Sequence, residues 1–588
     1  AAVFVPVTFL KGDLGRLFTE FSVTLIAAVC FSTFVALTLC PMLASKVLKK
    51  EKKNKVNDKI DQGLDVLKRN YRKVLHVGLK RPALMGAVFF ALIGSSYLLF
   101  KNIPSEYAPK EDRGAFFLIV NGPEGASYKY TAEYMAEIEK RLMPYVESGE
   151  VNRLLVRAPR SFGTLTDFSG GIAIVVLHDW ADRRSAFTIM NEVRGKLADL
   201  PGVRAFPVMR QGFGGGTSKP VQFVLGGGSY EELAKWRDIV IQKAQEQKLP
   251  LQGLDSDYKE TKPQLRIQVD KSRAAALGVS VETVGETLQT MLGSRRVTTY
   301  LDNGEEYDVL LEGVRSKQNT VSDVKNIYVR SESSDKLIPL SNLVSIEEYA
   351  DAGSLNRYNR IRAITLEANL ADGYSLGEAL ADLEAIVKEH LPAEVVVDYK
   401  GQSLDFKSGG SSMLFVFLLG FLVVFLVLAA QFESFIHPFV IILTVPFAVV
   451  GALFGLYLTG NTLNVYTQVG LIMLVGLAAK NGILIVEFAN QLRDEGVEFL
   501  RAIEKAAQTR LRPIIMTSIT TIAGAMPLVF AFGAGAETRS AIGVVVVFGV
   551  LIGTLFTLFI VPAAYVLIAR GTGSISDVEN KLKKELEK

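Results

Sequence analysis

Seven stretches of this 588-residue sequence are apolar for long enough to cross a lipid bilayer, and no other feature restricts the fold as much. They lie at about Phe18–Ala44, Pro82–Phe100, Ser411–Phe432, Ile436–Tyr457, Val465–Asn490, Ile514–Phe532 and Ala541–Ala569. A hydrocarbon core of about 30 Å takes about 20 helical residues to cross, and inside it backbone amides must bond within their own helix. With 49% hydrophobic residues the chain is too apolar for a purely water-soluble protein. The opening AAVFVPVTFL is apolar but too short to span. It reads as the tail of a cut span, which makes the chain the C-terminal part of a longer protein.

Basic residues orient the spans. Segment Lys46–Arg81 carries 13 Lys/Arg against four acids and is expected on the cytoplasmic side. Within it, Val56–Leu79 places Ile60, Leu64, Leu67, Tyr71 and Leu75 at helical spacing. That pattern fits a helix lying along the membrane surface or an ordinary solvated helix. Alternation puts Lys101–Gly410 on the opposite side. It returns the loop Gln491–Pro513, with Arg493, Arg501, Lys505, Arg510 and Arg512, to the cytoplasm, and leaves residues 570–588 there as a tail.

The block Lys101–Gly410 reads as strand–helix–strand units. Strands at Ala115–Asn121, Val151–Val156, Gly171–Leu177 and near Val203–Val208 alternate with helices at Tyr130–Val146 and near Phe187–Leu197. That is a βαββαβ order. A second such unit begins with strand Pro220–Leu225 and helix Tyr230–Gln247. It resumes at Ala363–Leu370, Ser375–His390 and Glu394–Tyr399. Between them Pro263–Ala350 reads as an insertion, with a helix at Ser280–Leu292 and a hairpin at Val297–Gly313 turning at Asp302–Gly304. The run GFGGGT at Gly212–Thr217 lacks the Lys-Ser/Thr of a phosphate loop and reads as a linker.

Several chemistries find no support. A net charge of +4 gives no footprint for nucleic acid. The four histidines lie far apart without zinc spacing, and Cys30 and Cys40 read as small buried hydrophobes. No cofactor is expected, and the chain does not read as an enzyme.

The feature that demands chemistry is Lys480, within VGLAAKNGILIVEFANQL. An ammonium at the bilayer centre costs roughly 3 kcal/mol or more unless paired. Gly476, Ala478, Ala479 and Gly482 let a neighbouring helix approach it. Glu487 lies two turns along and Glu20 near the opposite surface, so the best counter-charge is expected on a segment before Ala1. A static ion pair and a titrating relay both fit. In TRLRPIIMTSITT, Arg510 and Thr517 share a face if their helix starts before Pro513. Thr517 and Ser518 could equally bond backbone carbonyls.

GLAAKNGILIVEFA (Gly476–Ala489), TRLRPIIMTS (Thr509–Ser518), FIVPAAYVL (Phe559–Leu567), AVFVPVTFLKG near the start and HDWADR (His178–Arg183) resemble the resistance-nodulation-cell division superfamily. The likeness is to its hydrophobe/amphiphile multidrug efflux branch, acriflavine-resistance B type, and covers essentially the whole chain. It implies an α-helical transmembrane bundle plus an α+β periplasmic region with two ferredoxin-like subdomains and an inserted docking domain. It implies a homotrimer in a Gram-negative inner membrane, in contact with membrane lipid, a periplasmic adaptor and an outer-membrane channel. The activity implied is drug/proton antiport of small amphiphilic substrates. The lysine matching Lys480 pairs in that family with two aspartates on an earlier span, and residues matching Arg510 and Thr517 belong to the same proton pathway.

Phe162, inside the loop Arg157–Gly170, and Ile174 and Phe206 match substrate-pocket positions; ordinary core packing is the alternative for all three. The lysine and the lack of a methionine cluster speak against metal export. On this scheme residues 1–100 hold a truncated span, a full span, a cytoplasmic surface helix and a second full span. Residues 101–218 form the first porter subdomain and 219–262 with 351–410 the second. Residues 263–350 are the docking domain and 411–569 five spans. A protein-export or lipid-transport relative, or a membrane-anchored periplasmic scaffold, are the other readings.

Overall fold

Lipid offers no water to a backbone amide, so each apolar run is expected as one uninterrupted helix. The computed structural model describes residues 4–9, 12–47, 55–160, 168–209, 219–318, 320–371 and 373–572. It opens with helices α1 (Gly12–Val47), α2 (Lys55–Lys80) and α3 (Pro82–Asn102). Pro82 opens α3 at a position where its missing N–H costs nothing, and Arg81 before it is non-helical. From Val23 onward α1 is almost wholly exposed, and Cys30 and Cys40 are free and exposed rather than buried. A lipid-facing helix and a core helix share the same apolar composition, so the sequence could not separate them.

The extramembrane block follows. Its first sheet comes from β1 (Ala115–Asn121), α4 (Tyr128–Glu147), β2 (Val151–Arg157), β3 (Gly170–Leu177), α5 (Ala186–Leu197) and β4 (Arg204–Met209). The strand order is β2-β3-β1-β4, with every neighbouring pair antiparallel. Alternate residues of β1 divide between the faces. Phe116, Leu118 and Val120 join Val175, Met135, Ile138 and Ile189 in the core under α4 and α5.

Next come β5 (Val221–Gly226), α6 (Tyr230–Glu246) and β6 (Leu251–Ser256). Residues 258–355, with Pro123–Ser127, form a separate compact unit. It contains β7 (Lys262–Val269), α7 (Lys271–Ala276), α8 (Val281–Leu288), β8 (Arg295–Asp302), β9 (Glu305–Leu311), α9 (Val321–Lys325), β10 (Tyr328–Arg330), β11 (Leu337–Pro339) and β12 (Val344–Asp351). Its core is Ala274, Val279, Val284, Val324, Val329, Leu340 and Leu343. The β8–β9 hairpin turns on Asn303 (φ 49°) and Gly304 (φ 84°), the left-handed pair that a two-residue hairpin loop needs.

The second sheet then closes with β13 (Arg357–Tyr358), β14 (Ile361–Leu370), α10 (Leu376–His390) and β15 (Val396–Tyr399). Around β5 the order is β6-β14-β5-β15, again antiparallel throughout. Strand β6, LQGLDS, escapes sequence reading because a glycine and two polar residues interrupt its alternation. Ser229 caps α6 by accepting from the Glu232 N–H at 3.3 Å, while Glu232 accepts from the Ser229 N–H at 2.8 Å; Ser375 and Glu378 cap α10 the same way.

The bundle ends the chain: α11 (Gly401–Phe432), α12 (Ile436–Ile442), α13 (Thr444–Thr459), α14 (Val465–Asp494), α15 (Phe499–Val529) and α16 (Ala536–Ile568). Among the described residues seven helical segments are long and apolar enough to cross a membrane. Helix α15 begins at Phe499, well before the apolar run at Ile514, because its first turns are amphipathic rather than apolar. Helix α16 packs against α13, α14 and α15. Small residues permit the contact: a Cβ on Gly455 would lie 2.6 Å from Phe548.

One buried ion pair locks the first sheet. The Arg183 side chain, 1% exposed, donates to both Asp112 carboxylate oxygens at 2.8 and 2.7 Å. Asp112 also accepts from the N–H groups of Ala186 (2.8 Å) and Gly114 (3.1 Å), and its carbonyl accepts from Trp180 Nε1 at 2.9 Å. Burial works against the carboxylate, but Arg183 and the two N–H groups outweigh it and hold its pKa below the usual range. Its contribution is therefore present above the unfolded value of about 3.9 and is lost as pH falls through the lower folded value. Asp112→Ala strands a buried guanidinium and should cost about 3–5 kcal/mol. Thermal unfolding at pH 7 checks this; a melting temperature within a degree of wild type rules it out.

Candidate functional site

Helix α14 starts at Asn464, whose side-chain oxygen accepts from the N–H groups of Tyr466 (3.0 Å) and Thr467 (3.1 Å). Lys480 stands 15 residues after Val465 and 14 before Asp494. That is about 21 Å along the axis from the nearer helix end. The helix runs past the apolar segment, so its last turns extend beyond the stretch that the sequence marks as crossing lipid. One face of α14, with Val475, Ala479, Gly482, Val486 and Ala489, is buried. On the opposite stripe Met473, Leu477, Leu484 and Glu487 are half-buried and Lys480 is exposed. Lys480 is exposed on that stripe and, among the described residues, makes no hydrogen bond or ion pair. Glu487 is engaged with Gln491 at 3.2 Å instead.

Arg510 and Thr517 lie seven apart on the continuous helix α15, which places them on one face. The Arg510 guanidinium sits over the Phe488 ring of α14, 4.5 Å from its centroid, and its Nε is buried without a partner among the described residues. The Thr517 hydroxyl donates to the Ile514 carbonyl at 3.1 Å. Ser518 does not bond the backbone in this way. Its hydroxyl meets that of Thr554 on α16 at 2.9 Å, and Asn481 Nδ2 donates to the same Thr554 oxygen at 3.1 Å. This buried triad ties three helices together beside Lys480. Its members are 36 and 73 residues apart, so no spacing rule could reveal it.

In the extramembrane block, Ile174 pairs across β3 and β1 with Phe117, and Phe206 pairs across β4 and β1 with Ile119. Both therefore lie on the sheet face turned away from α4 and α5, outside the core cluster. The Lys219 ammonium lies 5.8 Å from the Phe206 ring centroid. Phe162 lies outside the described residues, as do residues 212–217.

The connector between α3 and β1 links these regions. Ser105 forms a parallel bridge to Leu463, and Leu463 N–H donates to the Pro104 carbonyl at 2.8 Å. Val465 N–H donates to the Tyr107 carbonyl at 3.2 Å, and Gly377 N–H of α10 to the Ser105 carbonyl at 3.2 Å. Asp112 N–H donates to Glu537 at 3.4 Å, a carboxylate that the early start of α16 brings into its first turn. Glu106 accepts from the Thr462 hydroxyl. Burial pushes the Glu106 carboxyl above the usual range, against the opposing pulls of Thr462 and Lys110. A cleft of about 330 Å³ opens here, lined by Glu106, Arg113, Phe187, Arg194, Gln252 and Asn369 among others. Among the described residues no group of three metal-ligating side chains comes together.

Bundle and block together define a multi-pass membrane protein with an ionisable side chain at mid-helix depth. The family model described as AcrB/AcrD/AcrF matches residues 1–569, and the chain belongs to that resistance-nodulation-cell division family of transporters, which are not enzymes. It is 34% identical over 583 residues to an uncharacterized transporter of Haemophilus influenzae, covering 97% of this chain and 55% of the relative. It is 32% identical over 593 residues to the multidrug/solvent efflux pump membrane transporter MepB of Pseudomonas putida, covering 98% and 56%. The toluene efflux pump membrane transporter TtgB of Pseudomonas putida matches at the same identity and coverage. The chain thus spans about half the length of the curated relatives it matches.

Two measurements check this geometry. Thr554→Val leaves Asn481 and Ser518 without their shared partner and should cost about 1–3 kcal/mol, with Thr554→Ser restoring most of it; equal detergent-solution melting curves for wild type and Thr554→Val contradict the triad. A carboxyl raised by burial stabilises the fold below its unfolded value, and that contribution is lost as pH rises through the folded value. Glu106→Gln should therefore melt about 2–4 °C above wild type at pH 7, with the gap closing toward pH 4.5. A gap independent of pH contradicts the assignment.

Proposed function

We propose that this chain is part of the inner-membrane subunit of a proton-driven efflux pump that exports drugs and other amphiphilic compounds by drug/proton antiport. The carrying observation is Lys480, halfway along α14, exposed on its less buried stripe and unpaired among the described residues. A lysine so placed is a titrating or ion-pairing group by default. Proton arrival on its counter-charge changes whether an ion pair forms, and the cost of a lone ammonium in lipid converts that change into helix movement. Arg510 and Thr517 complete the relay from α15. The names of the Pseudomonas relatives, multidrug/solvent and toluene efflux pumps, support apolar and amphiphilic cargo.

In this reading the basic segment of α2 is cytoplasmic and the extramembrane block periplasmic. The repeated order of the two antiparallel sheets supports two ferredoxin-like porter subdomains, and residues 258–355 serve as the docking domain toward a periplasmic adaptor and an outer-membrane channel. Ile174 and Phe206, with Phe162, form the apolar wall along which cargo passes, the pump acting as a homotrimer.

Dye efflux from cells carrying the intact pump tests the reading. Lys480→Ala should abolish efflux with normal protein level in the membrane, and an uncoupler should stop the wild type. Efflux unchanged by Lys480→Ala defeats the relay, and efflux that persists after the proton gradient collapses defeats antiport. Phe206→Ala should raise the apparent KM for bulky cargo about 5-fold or more, as loss of a buried aromatic contact implies. An unaltered KM removes Phe206 from the path.

A further inference from the structure

Helix α2 does more than connect two spans. Its acids, Asp58, Asp61 and Asp65, fall in its first half, whereas Lys68, Arg69, Arg72, Lys73 and Lys80 follow with no acid among them. The helix is held against the bundle. The Tyr71 hydroxyl donates to the Leu558 carbonyl of α16 at 2.6 Å, its ring lies 5.3 Å from Phe559, and Arg72 meets Glu504 of α15 at 3.4 Å.

Two cavities lie along this seam. The first, of about 410 Å³, has a polar lining that includes Lys68, Arg512, Gln508, Thr509 and one acid, Asp65. The second, of about 620 Å³, lies between α2, α15 and α16 and is lined by apolar side chains such as Val74, Ile519, Ile522, Leu551 and Leu555. Leu67, Leu511 and Ile515 line both, so the two form one groove with a basic mouth and an apolar body. Along α15 the mouth begins at Gln508, and the apolar body runs from Leu511 to Ile522, eleven residue steps. That is about 16 Å, close to half of a hydrocarbon core of about 30 Å. The apolar body is one leaflet deep.

We propose that this groove is a binding site for an anionic phospholipid of the leaflet in which α2 lies. Its phosphate sits between Lys68 and Arg512, with Gln508 and Thr509 as hydrogen-bonding partners, and one acyl chain runs down between Ile519 and Leu555. Charge complementarity and the single-leaflet depth select this occupant. Two cations against the one acid, Asp65, leave the mouth net basic, and a soluble phosphate has no use for the apolar body. The bottom of the groove reaches Ser518 and Thr554, two members of the triad beside Lys480, so the lipid contacts the scaffold of the candidate relay directly.

Native mass spectrometry of the intact, detergent-extracted membrane protein tests the site. The probes are phosphatidylglycerol, phosphatidylcholine with the same chains, and glycerol phosphate without chains. Phosphatidylglycerol should bind preferentially, and Lys68→Gln with Arg512→Gln should weaken it about 5-fold per charge removed. Leu555→Trp, which fills the body and leaves the mouth intact, should weaken it as well. Lys73→Gln, outside the lining, should change nothing, and circular dichroism of each variant reports that it is folded. Equal retention of the two lipids, glycerol phosphate binding as well as the lipid, or folded mouth and body variants that bind like wild type each overturn the proposal.

Discussion

A cation in the middle of a lipid-crossing helix cannot be left alone, and the bundle is arranged around that fact. Lys480 sits about 21 Å along α14 from its nearer end, close to the middle of the helix. The buried face of the same helix is built from glycine, alanine and β-branched residues that let α16 lie close. The opposite, half-buried face bears the charge. What packs tightly and what remains available are thus divided between two stripes of one helix, set by a period of 3.6 residues.

The second organising device is the sharing of single polar atoms among several helices. Thr554 serves both Asn481 and Ser518, so α14, α15 and α16 cannot shift independently without leaving a polar group unpaired in an apolar surrounding. Asp112 does the same in the first sheet, where one carboxylate answers a guanidinium and two backbone amides. In both places the stability lies less in the bonds made than in the desolvation cost of unmaking them.

Much of this was legible in the sequence. Helix length and strand alternation are local signals, and both have local physical causes. Lys480 was legible because its cost in lipid is large enough to stand out from any background. The start of α15 was not, because EKAAQTRLR is amphipathic rather than apolar. Nor was the exposure of Cys30 and Cys40, since lipid and protein interior ask for the same residues. Strand β6 and the Asn481–Ser518–Thr554 triad depend on partners far along the chain, which no local period encodes. That Ile174 and Phe206 share the face of the first sheet turned away from its core became legible only from the strand register.

The connector 103–113 has a property of length as well as of bonding. Within eleven residues it is tied to the starts of α14 and α16, to α10 and, through Asp112, to the loop that carries Arg183. Pro104, Ser105, Glu106 and Tyr107 are attached in succession and Asp112 five residues on, which leaves it little slack. In length it is a strut rather than a tether: the head of α14, the first turn of α16, α10 and the loop of Arg183 are all fastened to the same eleven residues. Inserting a residue there would put these attachments out of step with one another, so the bundle and the sheets share one measure.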